Sequence, residues 1–379
     1  AGVRQTLPMF VFRLPKAHPR EKENFVRLLN APADVNTGGN FFGDGLAVLR
    51  RRALTHTPRC ATIRIMNSCF VTRRHFLQHA GAAGLALAAG VRANALPRLL
   101  RLGAPAFIKT DDPVELARWH RAQGYGAAYC PAVAVADAAR IRALETAFRE
   151  ANVVIAEVGR WCNLTDPDPV KRKKNLAHVT EGLALADAVG ARCCVDIAGS
   201  FNPDVWYGPH PDNFTPAFFD AAVENARKII DAVKPKRAKF AYEMMGWCMP
   251  ETPERYLALL KAVDRPGFAV HLDPCNLINS PEKIYRNTDL LHACFDLLGP
   301  WIVGCHAKDL AWEIEMNVHF REVRPGTGVL DYATFLRRLA ALPEPPPLMI
   351  EHLKGAEEYA AAAKHIIATG ASLGLSFGP

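Results

Sequence analysis

The sequence predicts an α/β protein that folds as a single (β/α)8 TIM barrel. Three observations support this fold class. Eight short apolar runs follow one another after residue 101, segments with helical spacing separate them, and about 280 residues hold the whole series. A barrel of eight strand-helix repeats typically needs about 250 residues. A doubly wound open sheet is the alternative, but no glycine-rich phosphate-binding motif follows the first apolar run.

The eight predicted strands are apolar runs of three to seven residues. They span residues 102–108, 126–130, 153–158, 192–198, 240–244, 268–272, 302–306 and 348–350. Runs of this length and composition are typical of strands that are buried on both faces of a parallel sheet. In a closed barrel, the carboxyl ends of such strands meet at one face, where the catalytic residues of this fold lie.

The segments between the runs are predicted to be helices that pack one face on the sheet. In the clearest of them, apolar residues recur at intervals of three and four: Phe219, Ala222, Val223, Ala226, Ile229, Ile230 and Val233. Four helix starts carry a capping residue followed by proline: Asp112-Pro113, Thr215-Pro216, Thr252-Pro253 and Ser280-Pro281. The capping oxygen accepts a free backbone N–H, and proline has no N–H to satisfy at the first helical position.

The first 95 residues are predicted to stand apart from the barrel, which occupies residues 96–379. Residues 1–65 show no sustained periodicity and precede a plausible start at Met66, so they are interpreted as an unstructured extension or a misplaced translation start. Residues 66–95 contain an arginine pair at 73–74, then Phe and Leu, an Ala/Gly/Leu run and a small-residue cleavage signal at 93–95. This segment resembles a twin-arginine signal peptide, with a buried apolar helix as the alternative. It predicts export or a periplasmic location, and its apolar run is too short for a stable membrane span.

The formal net charge of +8 lies mainly in this N-terminal part. Fourteen of the 46 Lys/Arg and four of the 38 Asp/Glu precede residue 96, so the predicted barrel is close to neutral. A nearly neutral domain lacks the basic surface that nucleic-acid binding needs. Eight of the ten cysteines follow residue 95 without a Cys-x-x-Cys motif, and they are interpreted as unpaired core residues.

Four predicted strands end in side chains that can bind a metal ion: Glu243, Asp273, His306 and Glu351. A single strand-end acid is commonly an ion-pair partner, but four such groups on neighbouring strands would be costly without a cation. Three carboxylates and one imidazole favour Mn²⁺, Mg²⁺ or Co²⁺, and Zn²⁺ is also compatible. The sequence therefore predicts one divalent metal ion at the barrel mouth.

Five short motifs stand at or near these strand ends. They are Glu-Met-Met-Gly from Glu243, Leu-Asp-Pro-Cys-Asn from Leu272, His-Ala-Lys-Asp from His306, Arg-Pro-Gly-Thr-Gly-Val-Leu-Asp from Arg324 and Ile-Glu-His from Ile350. Together they resemble the xylose isomerase-like superfamily of sugar isomerases and epimerases, over residues 102–374. The resemblance implies that the four strand-end residues hold the metal and that Glu243 and Glu351 are the catalytic acid/base pair. Asn276 departs from the pattern, because several sugar epimerases have a second His there.

The resemblance implies proton transfer on a polyhydroxylated carbonyl substrate. A divalent ion that binds a carbonyl and the neighbouring hydroxyl favours removal of the proton between them, through an enediolate. A carboxylate on either side can take the proton and return it. Return to the opposite face is epimerisation, return to the neighbouring carbon is isomerisation, and loss of a β-substituent is elimination. The sequence leaves these three outcomes open.

Six residues near the strand ends are candidate substrate contacts: Glu157, Trp161, His271, Asn276, Lys308 and Arg324. Glu157 is a sugar contact or a rim ion-pair partner, and Trp161 is a platform for a sugar ring or a plug of the rim. Lys308 neutralises an oxyanion or pairs with Asp309. His271 shares the strand face of Asp273 and supports it, whereas Arg324 binds a substrate anion or anchors its loop. Two long connections, 202–213 and 311–328, are lids or plain loops.

The predicted function is that of a metal-dependent isomerase or epimerase on an unphosphorylated sugar or sugar derivative. The first alternative is a lyase or hydratase on keto-sugars or keto-glycosides, and the second is a non-catalytic sugar-binding barrel. An apurinic-site nuclease shares the barrel but needs a histidine-rich zinc cluster, and the second predicted strand ends in Ala128-Tyr129-Cys130 without histidine. The oligomeric state stays open, with a homo-oligomer allowed.

Overall fold

The structure is a computed structural model that describes residues 99–378. The predicted extension 1–65 and the predicted twin-arginine segment 66–95 lie outside the described residues, as do residues 96–98 at the start of the predicted barrel domain. Both N-terminal interpretations therefore stay predictions.

The described residues form ten strands. They are β1 (Leu102–Ala104), β2 (Ala127–Tyr129), β3 (Val154–Gly159), β4 (Cys193–Asp196), β5 (Lys239–Glu243), β6 (Phe268–Leu272), β7 (Ile302–Ala307), β8 (Asp309–Ile314), β9 (Val318–Val323) and β10 (Leu348–Ile350). All except β8 and β9 pair in parallel, in the ring order β1-β2-β3-β4-β5-β6-β7-β10. Because β10 pairs with β1, the sheet is closed. The predicted (β/α)8 barrel is therefore confirmed, and the alternative of an open sheet is excluded.

Nine α-helices lie between or after these strands in the described part of the chain. They are α1 (Pro113–Ala122), α2 (Ala138–Glu150), α3 (Pro169–Val189), α4 (Pro216–Val233), α5 (Pro253–Val263), α6 (Pro281–Tyr285), α7 (Asn287–Leu298), α8 (Tyr332–Ala341) and α9 (Gly355–Ser372). The apolar face predicted for α4 is largely confirmed, since Ala222, Ala226 and Ile229 are buried. Two positions differ, because Phe219 and Val233 are only partly buried, and Phe218 is fully buried in place of Phe219.

The four predicted capping residues stand at the N-cap positions of α1, α4, α5 and α6, and side-chain capping is confirmed for three of them. The side-chain oxygens of Asp112, Thr252 and Ser280 accept a backbone N–H two or three residues further on, at 2.9–3.3 Å. Thr215 acts differently, because its hydroxyl donates to the carbonyl of Asp212 at 2.8 Å and does not cap α4.

Strands β8 and β9 form an antiparallel hairpin where the sequence analysis expected only a long connection. Trp312 pairs with Phe320 and Ile314 pairs with Val318, so apolar residues alternate along both strands. This period of two is the usual sequence signal of a strand. The strand-helix repeat does not predict this hairpin, because the hairpin is an insertion into the repeat.

Small residues make room for large side chains inside the barrel. Ala127 and Ala156 are buried against Met349, and a Cβ atom at Gly103 would clash with the sulfur of Met349. A Cβ atom at Gly304 would lie 2.8 Å from Cδ2 of His271. Glycine at position 304 of β7 therefore leaves space for a histidine beneath the strand ends.

The eight cysteines of the described residues are unpaired, as predicted, and six of them are buried. Burial raises the pKa of Cys193 and Cys194 well above the ordinary thiol value. These thiols are therefore inert core groups. Among residues 99–378, none of the helices combines the length and the apolarity that crossing a membrane requires.

Candidate functional site

Consecutive strands bring Glu243, Asp273, His306 and Glu351 together at the carboxyl-terminal face of the barrel. Glu243 ends β5, Asp273 follows β6, His306 is the penultimate residue of β7 and Glu351 follows β10. Strands β5, β6, β7 and β10 are neighbours in the ring. The barrel therefore turns distant positions of the chain into a single cluster, which we call the carboxylate–histidine cluster.

The four side chains of this cluster share one small space. Nδ1 of His306 lies 2.9 Å from Oε1 of Glu243, 2.9 Å from Oε1 of Glu351 and 3.7 Å from Oδ2 of Asp273. One ligand atom from each residue lies within 4.8 Å of the other three. Asp273 and His306 are fully buried, and Glu243 is 5% exposed. The structure thus brings together the four residues that the sequence analysis selected as metal ligands.

Lys308 reaches this cluster from the residue that follows β7. Its Nζ lies 2.6 Å from Oε1 of Glu351, 2.9 Å from Oδ2 of Asp273 and 3.8 Å from Oε1 of Glu243. These are ion-pair distances, yet Asp273 Oδ2 and Glu351 Oε1 accept no hydrogen bond of good geometry within the described residues. Both buried carboxylate oxygens therefore face Lys308 and the imidazole of His306 without a well-aligned hydrogen bond from either.

The donor set fits a divalent cation. Lys308 and His306 supply the positive charge that the buried oxygens of Asp273 and Glu351 need, and a divalent ion would supply the same compensation. Neither oxygen accepts a well-aligned hydrogen bond within the described residues, so both are available as ligand atoms. The other oxygen of Asp273 accepts the backbone N–H groups of Cys275 and Asn276 at 3.1 and 3.3 Å, which fixes the orientation of the carboxylate. Carboxylate oxygens with one imidazole suit Mn²⁺, Mg²⁺ or Co²⁺ better than a soft metal.

Burial and charge shift the pKa of each group in the cluster. Burial disfavours the charged form of His306, but the carboxylates of Glu351, Glu157 and Glu243 outweigh it and raise the pKa of this imidazole well above its ordinary value. Burial also favours protonation of both cluster glutamates. In Glu243 burial prevails and its pKa is raised, whereas in Glu351 the charges of His306 and Lys308 prevail and its pKa is lowered. The two glutamates therefore shift in opposite directions.

A second buried group supports His306 from inside the barrel. Oε1 of Glu157 lies 3.3 Å from Nε2 of His306, and Oε2 of Glu157 lies 2.8 Å from Nε2 of His271. Glu157 is 1% exposed and His271 is fully buried. The expected place of Glu157 at the rim is therefore wrong, because its side chain points into the barrel interior. Glu157 and His271 contact the cluster rather than the open mouth.

A cavity of about 720 Å³ opens over the cluster. It is lined by Glu243 and Glu351, and also by three of the predicted substrate contacts, Trp161, Asn276 and Lys308. Nδ2 of Asn276 donates to Oε1 of Glu243 at 3.2 Å, and its Oδ1 accepts from Nζ of Lys308 at 3.3 Å. The ring centroid of Trp161 lies 6.4 Å from that of His306. Trp161 therefore stands beside the cluster and leaves the cavity open.

Glu157, His271 and Arg324 are not among the described residues that line this cavity. Arg324 pairs with Glu358 of α9, with 3.2 Å between Nε and Oε2. The loop that follows Arg324 is held by Asp309, whose carboxylate accepts the backbone N–H groups of residues 310, 326, 328 and 330 at 2.9–3.0 Å. The structure thus favours the interpretation that Arg324 anchors its loop. Asp309 binds the backbone of this loop and does not form the predicted pair with Lys308.

Several cavity residues were not assigned to the site from the sequence: Tyr129, Trp206, Tyr207, Met245, Glu322, His352 and Tyr359. Trp206 and Tyr207 belong to the long connection 202–213, whose aromatic content was the available signal. Glu322 lies on the hairpin that the sequence analysis missed, so its position was not predictable from the strand-end pattern. Tyr129 ends β2, and its hydroxyl donates to the carbonyl of Ile350 at 3.1 Å.

His352 links the hairpin to the strand end that carries Glu351. Its backbone has a φ of +60°, a left-handed conformation that is uncommon outside glycine. Its Nδ1 lies 3.2 Å from the carboxylate of Glu322, and its Nε2 lies 3.6 Å from Oε2 of Glu351. The hydrogen bond to Glu322 raises the pKa of His352. The hairpin therefore forms one wall of the cavity.

Comparison with known proteins identifies the family. The family described as Xylose isomerase-like TIM barrel matches residues 117–369. The chain belongs to this family, as the strand-end motifs predicted. None of the curated proteins matches the chain in sequence.

Solved structures share the fold at low sequence identity. The 3-keto-D-glucoside 4-epimerase from E. coli has a TM-score of 0.54 and 14% identity, over 70% of this chain and 98% of its own. A probable 3-DHS dehydratase from Bacillus anthracis has a TM-score of 0.53 and 13% identity, over 71% and 99%. A xylose isomerase-like TIM barrel protein from Mycobacterium smegmatis, in complex with magnesium, has a TM-score of 0.52 and 18% identity, over 71% and 95%. At these identities the likeness establishes the fold.

Proposed function

We propose that this protein is a divalent-metal-dependent sugar isomerase or epimerase that acts on a polyhydroxylated carbonyl compound. The observation that carries the proposal is the convergence of Glu243, Asp273, His306 and Glu351 beneath a cavity lined by aromatic and polar side chains. Membership of the xylose isomerase-like family supports it. So does the fold likeness to a 3-keto-D-glucoside 4-epimerase.

The four residues of the carboxylate–histidine cluster would hold the metal ion through one atom each. When bound, the ion would polarise the carbonyl and the adjacent hydroxyl of a sugar and so make the proton between them easier to remove. Lys308 lies 2.6 Å from Glu351 and lines the same cavity. Its ammonium group would stabilise negative charge that develops on the substrate oxygens.

Glu243 and Glu351 are the proposed acid/base pair. Both line the cavity, and they reach it from two different strand ends, those of β5 and β10. A carboxylate on each side of the reacting carbon can remove the proton and deliver one to the other face or to the neighbouring carbon. Asn276 donates a hydrogen bond to Glu243 and accepts one from Lys308, so it fixes the relative positions of these two side chains.

The charges around the cavity favour a neutral sugar over a sugar phosphate. Lys308 is the one Lys or Arg among the described residues that line the cavity, and its ammonium group is already paired with Asp273 and Glu351. Glu322 adds a further carboxylate to the wall. His352, which also lines the cavity, is paired with Glu322, so a phosphate would meet no cationic side chain of the described lining that is not already paired with a carboxylate. The proposed export by the segment 66–95 agrees with this substrate class, because phosphorylated sugars are chiefly cytoplasmic.

Proton exchange in D₂O tests the proposed function. Wild-type protein with Mn²⁺ is incubated with D-fructose, D-tagatose, 3-keto-D-glucose and methyl 3-keto-β-D-glucoside, and the protons beside the carbonyl are followed by NMR. We expect deuterium to enter at least one of these sugars. Glu351→Gln should slow the exchange at least about 100-fold, because general acid/base groups contribute about 10²–10⁴. Glu254→Gln, which changes an exposed residue of α5, is the matched control.

Two results would contradict the proposal. One is the absence of exchange in all four sugars with Mn²⁺ present. The other is full exchange in both Glu243→Gln and Glu351→Gln, which would remove the acid/base assignment.

Elimination is the second candidate function, and the fold likeness to a probable dehydratase favours keeping it. The same cavity carboxylates would remove the same proton, but the substrate would then lose a β-substituent. Only elimination forms an α,β-unsaturated carbonyl product, which absorbs in the ultraviolet. Absorbance that rises together with proton loss would therefore assign a lyase in place of an isomerase.

A further inference from the structure

The connection between β4 and α4 holds two aromatic side chains at the outer part of the cavity. Trp206 and Tyr207 line the cavity, with exposed fractions of 37% and 44%. Their ring centroids are 5.2 Å apart and the ring planes meet at 83°. Large aromatic side chains that stay exposed next to a pocket commonly mark a binding surface.

Buried polar side chains fix the shape of this connection. Ser200 and Asn213 are fully buried. Oγ of Ser200 donates to the carbonyl of Gly208 at 2.7 Å, and Nδ2 of Asn213 donates to the carbonyl of Trp247 at 2.9 Å. Asn202 adds two bonds to the backbone N–H groups of residues 204 and 205, both at 2.8 Å. The two aromatic rings are thus presented by a preorganised loop, which lowers the entropic cost of binding a ligand.

Exposure increases from the cluster to these rings, so the cavity has an inner end and an outer end. His306 is fully buried and Glu243 is 5% exposed, whereas Trp206 is 37% exposed. A sugar whose reacting carbon lies between Glu243 and Glu351 occupies the inner end. A cavity of about 720 Å³ is in the range that accommodates drug-sized ligands. Space therefore remains for a second ring at the outer end.

We propose that the substrate is a glycoside whose reacting sugar lies at the inner end and whose attached ring lies against Trp206 and Tyr207. The proposal rests on the proposed function for the identity of the reacting sugar. The attached ring is a second sugar or an aromatic aglycone, since both offer a flat face of C–H groups or π electrons to an aromatic ring. Glu322 in the cavity wall disfavours an anionic attached group.

Binding of three neutral glucosides tests this inference without turnover. The ligands are methyl β-D-glucopyranoside, which has one ring, cellobiose, which adds a sugar, and 4-nitrophenyl β-D-glucopyranoside, which adds an aromatic ring. Their dissociation constants are measured by calorimetry with Mn²⁺ present, for wild-type protein, Trp206→Ala and Trp247→Ala. Trp247 is a matched control, because it is 53% exposed on the nearby connection after β5 and is not among the described residues that line the cavity.

We expect at least one two-ring ligand to bind wild-type protein about tenfold more tightly than the methyl glucoside. Trp206→Ala should abolish this preference, and Trp247→Ala should keep it. A preference for cellobiose alone assigns a sugar to the outer end, and a preference for the nitrophenyl glucoside alone assigns an aromatic aglycone.

The inference is overturned if the methyl glucoside binds as tightly as both two-ring ligands, if none of the three binds, or if Trp206→Ala keeps the preference. These failures are distinct from failure of the proposed function. If the protein exchanges protons of free keto-sugars but does not prefer two-ring ligands, only the inference of a glycoside substrate fails. If the protein prefers two-ring ligands but exchanges protons of no carbonyl sugar, only the proposed isomerase or epimerase function fails.

Discussion

Nε2 of His306 lies 3.3 Å from Oε1 of Glu157, and this contact decides which nitrogen faces the cluster. When Nε2–H donates to Glu157, Nδ1 faces the carboxylates of Glu243 and Glu351, 2.9 Å away, and would offer its lone pair to a metal ion that displaces its proton. The second oxygen of Glu157 lies 2.8 Å from His271, which holds the carboxylate in place. Carboxylates in this position orient metal-binding histidines and increase their basicity.

Substitution of Glu157 should therefore weaken metal binding although Glu157 is not one of the four proposed ligands. We expect Glu157→Gln, which keeps the shape and loses the charge, to weaken Mn²⁺ binding about tenfold, and Glu157→Leu to weaken it about 100-fold. Calorimetric titration of metal-free protein with MnCl₂ measures both effects. Glu145→Gln is the control, because Glu145 belongs to a surface ion pair with Arg237.

A purely structural role of Glu157 makes a different prediction. It would lower the thermal midpoint of the variants and leave the Mn²⁺ affinity of the folded protein unchanged. Wild-type affinity in folded Glu157→Leu would contradict the orienting role.

Asp309 is expected to be the main anchor of the loop between β9 and α8. Its buried carboxylate accepts four backbone N–H groups, and Asn would turn an NH₂ group toward two of these donors. Asp309→Asn should lower the free energy of unfolding by about 2–3 kcal/mol, since unsatisfied buried donors cost this much. Urea denaturation measures the change, with Asp220→Asn on the exposed face of α4 as the control. Equal stability of the two variants would remove the anchoring role.

The barrel was predictable from the sequence because its strands are short, apolar and closed by polar residues. The predicted runs 268–272 and 348–350 coincide with β6 and β10, and the other six overlap their strands. The strand-helix repeat does not predict the β8–β9 hairpin, although its residues alternate, because the hairpin interrupts that repeat. An inserted hairpin is recognised by the alternation of apolar and polar residues within its own strands. Leu310, Trp312 and Ile314 show this alternation in β8.

The carboxylate–histidine cluster was predictable because each of its residues stands at or next to the carboxyl end of a strand. In a parallel barrel these ends all lie at the same face. The burial of Glu157 inside the barrel was not predictable, since a shift of one residue in register turns a strand side chain to the other face of the sheet. Pairing of β2 with β3 contains such a shift, between Ala128 and Tyr129. The outer wall was not predictable either, because the placement of Trp206 depends on loop hydrogen bonds that have no sequence period.

His120 should make the barrel sensitive to acid. It is 3% exposed on α1, next to Tyr125 and Phe148, and burial lowers its pKa to about 4. The unfolded chain binds this proton near pH 6.5, so the unfolded state carries more protons below that pH and stability falls as the pH drops from about 6.5 to 4. The expected loss from this residue is about 3 kcal/mol.

Urea denaturation of metal-free wild-type protein and His120→Phe across this pH range measures the contribution. The wild-type stability should fall more steeply than that of the variant by about 3 kcal/mol in total. His292→Gln, at an exposed position of α7, should follow the wild type. Parallel pH profiles of wild type and His120→Phe would show that His120 does not couple folding to protonation.

Glu243, Asp273, His306 and Glu351 should bind one divalent metal ion, and calorimetric titration with Mn²⁺ measures this binding. Asp273 is the most informative position, because it is fully buried and its Oδ2 atom accepts no hydrogen bond within the described residues. We predict one Mn²⁺ per wild-type chain and an affinity at least about tenfold weaker in Asp273→Asn, since an ionised ligand and its charge are lost. Absence of Mn²⁺ binding to the wild type, or equal affinity in folded Asp273→Asn, would show that the carboxylate–histidine cluster is not a metal site.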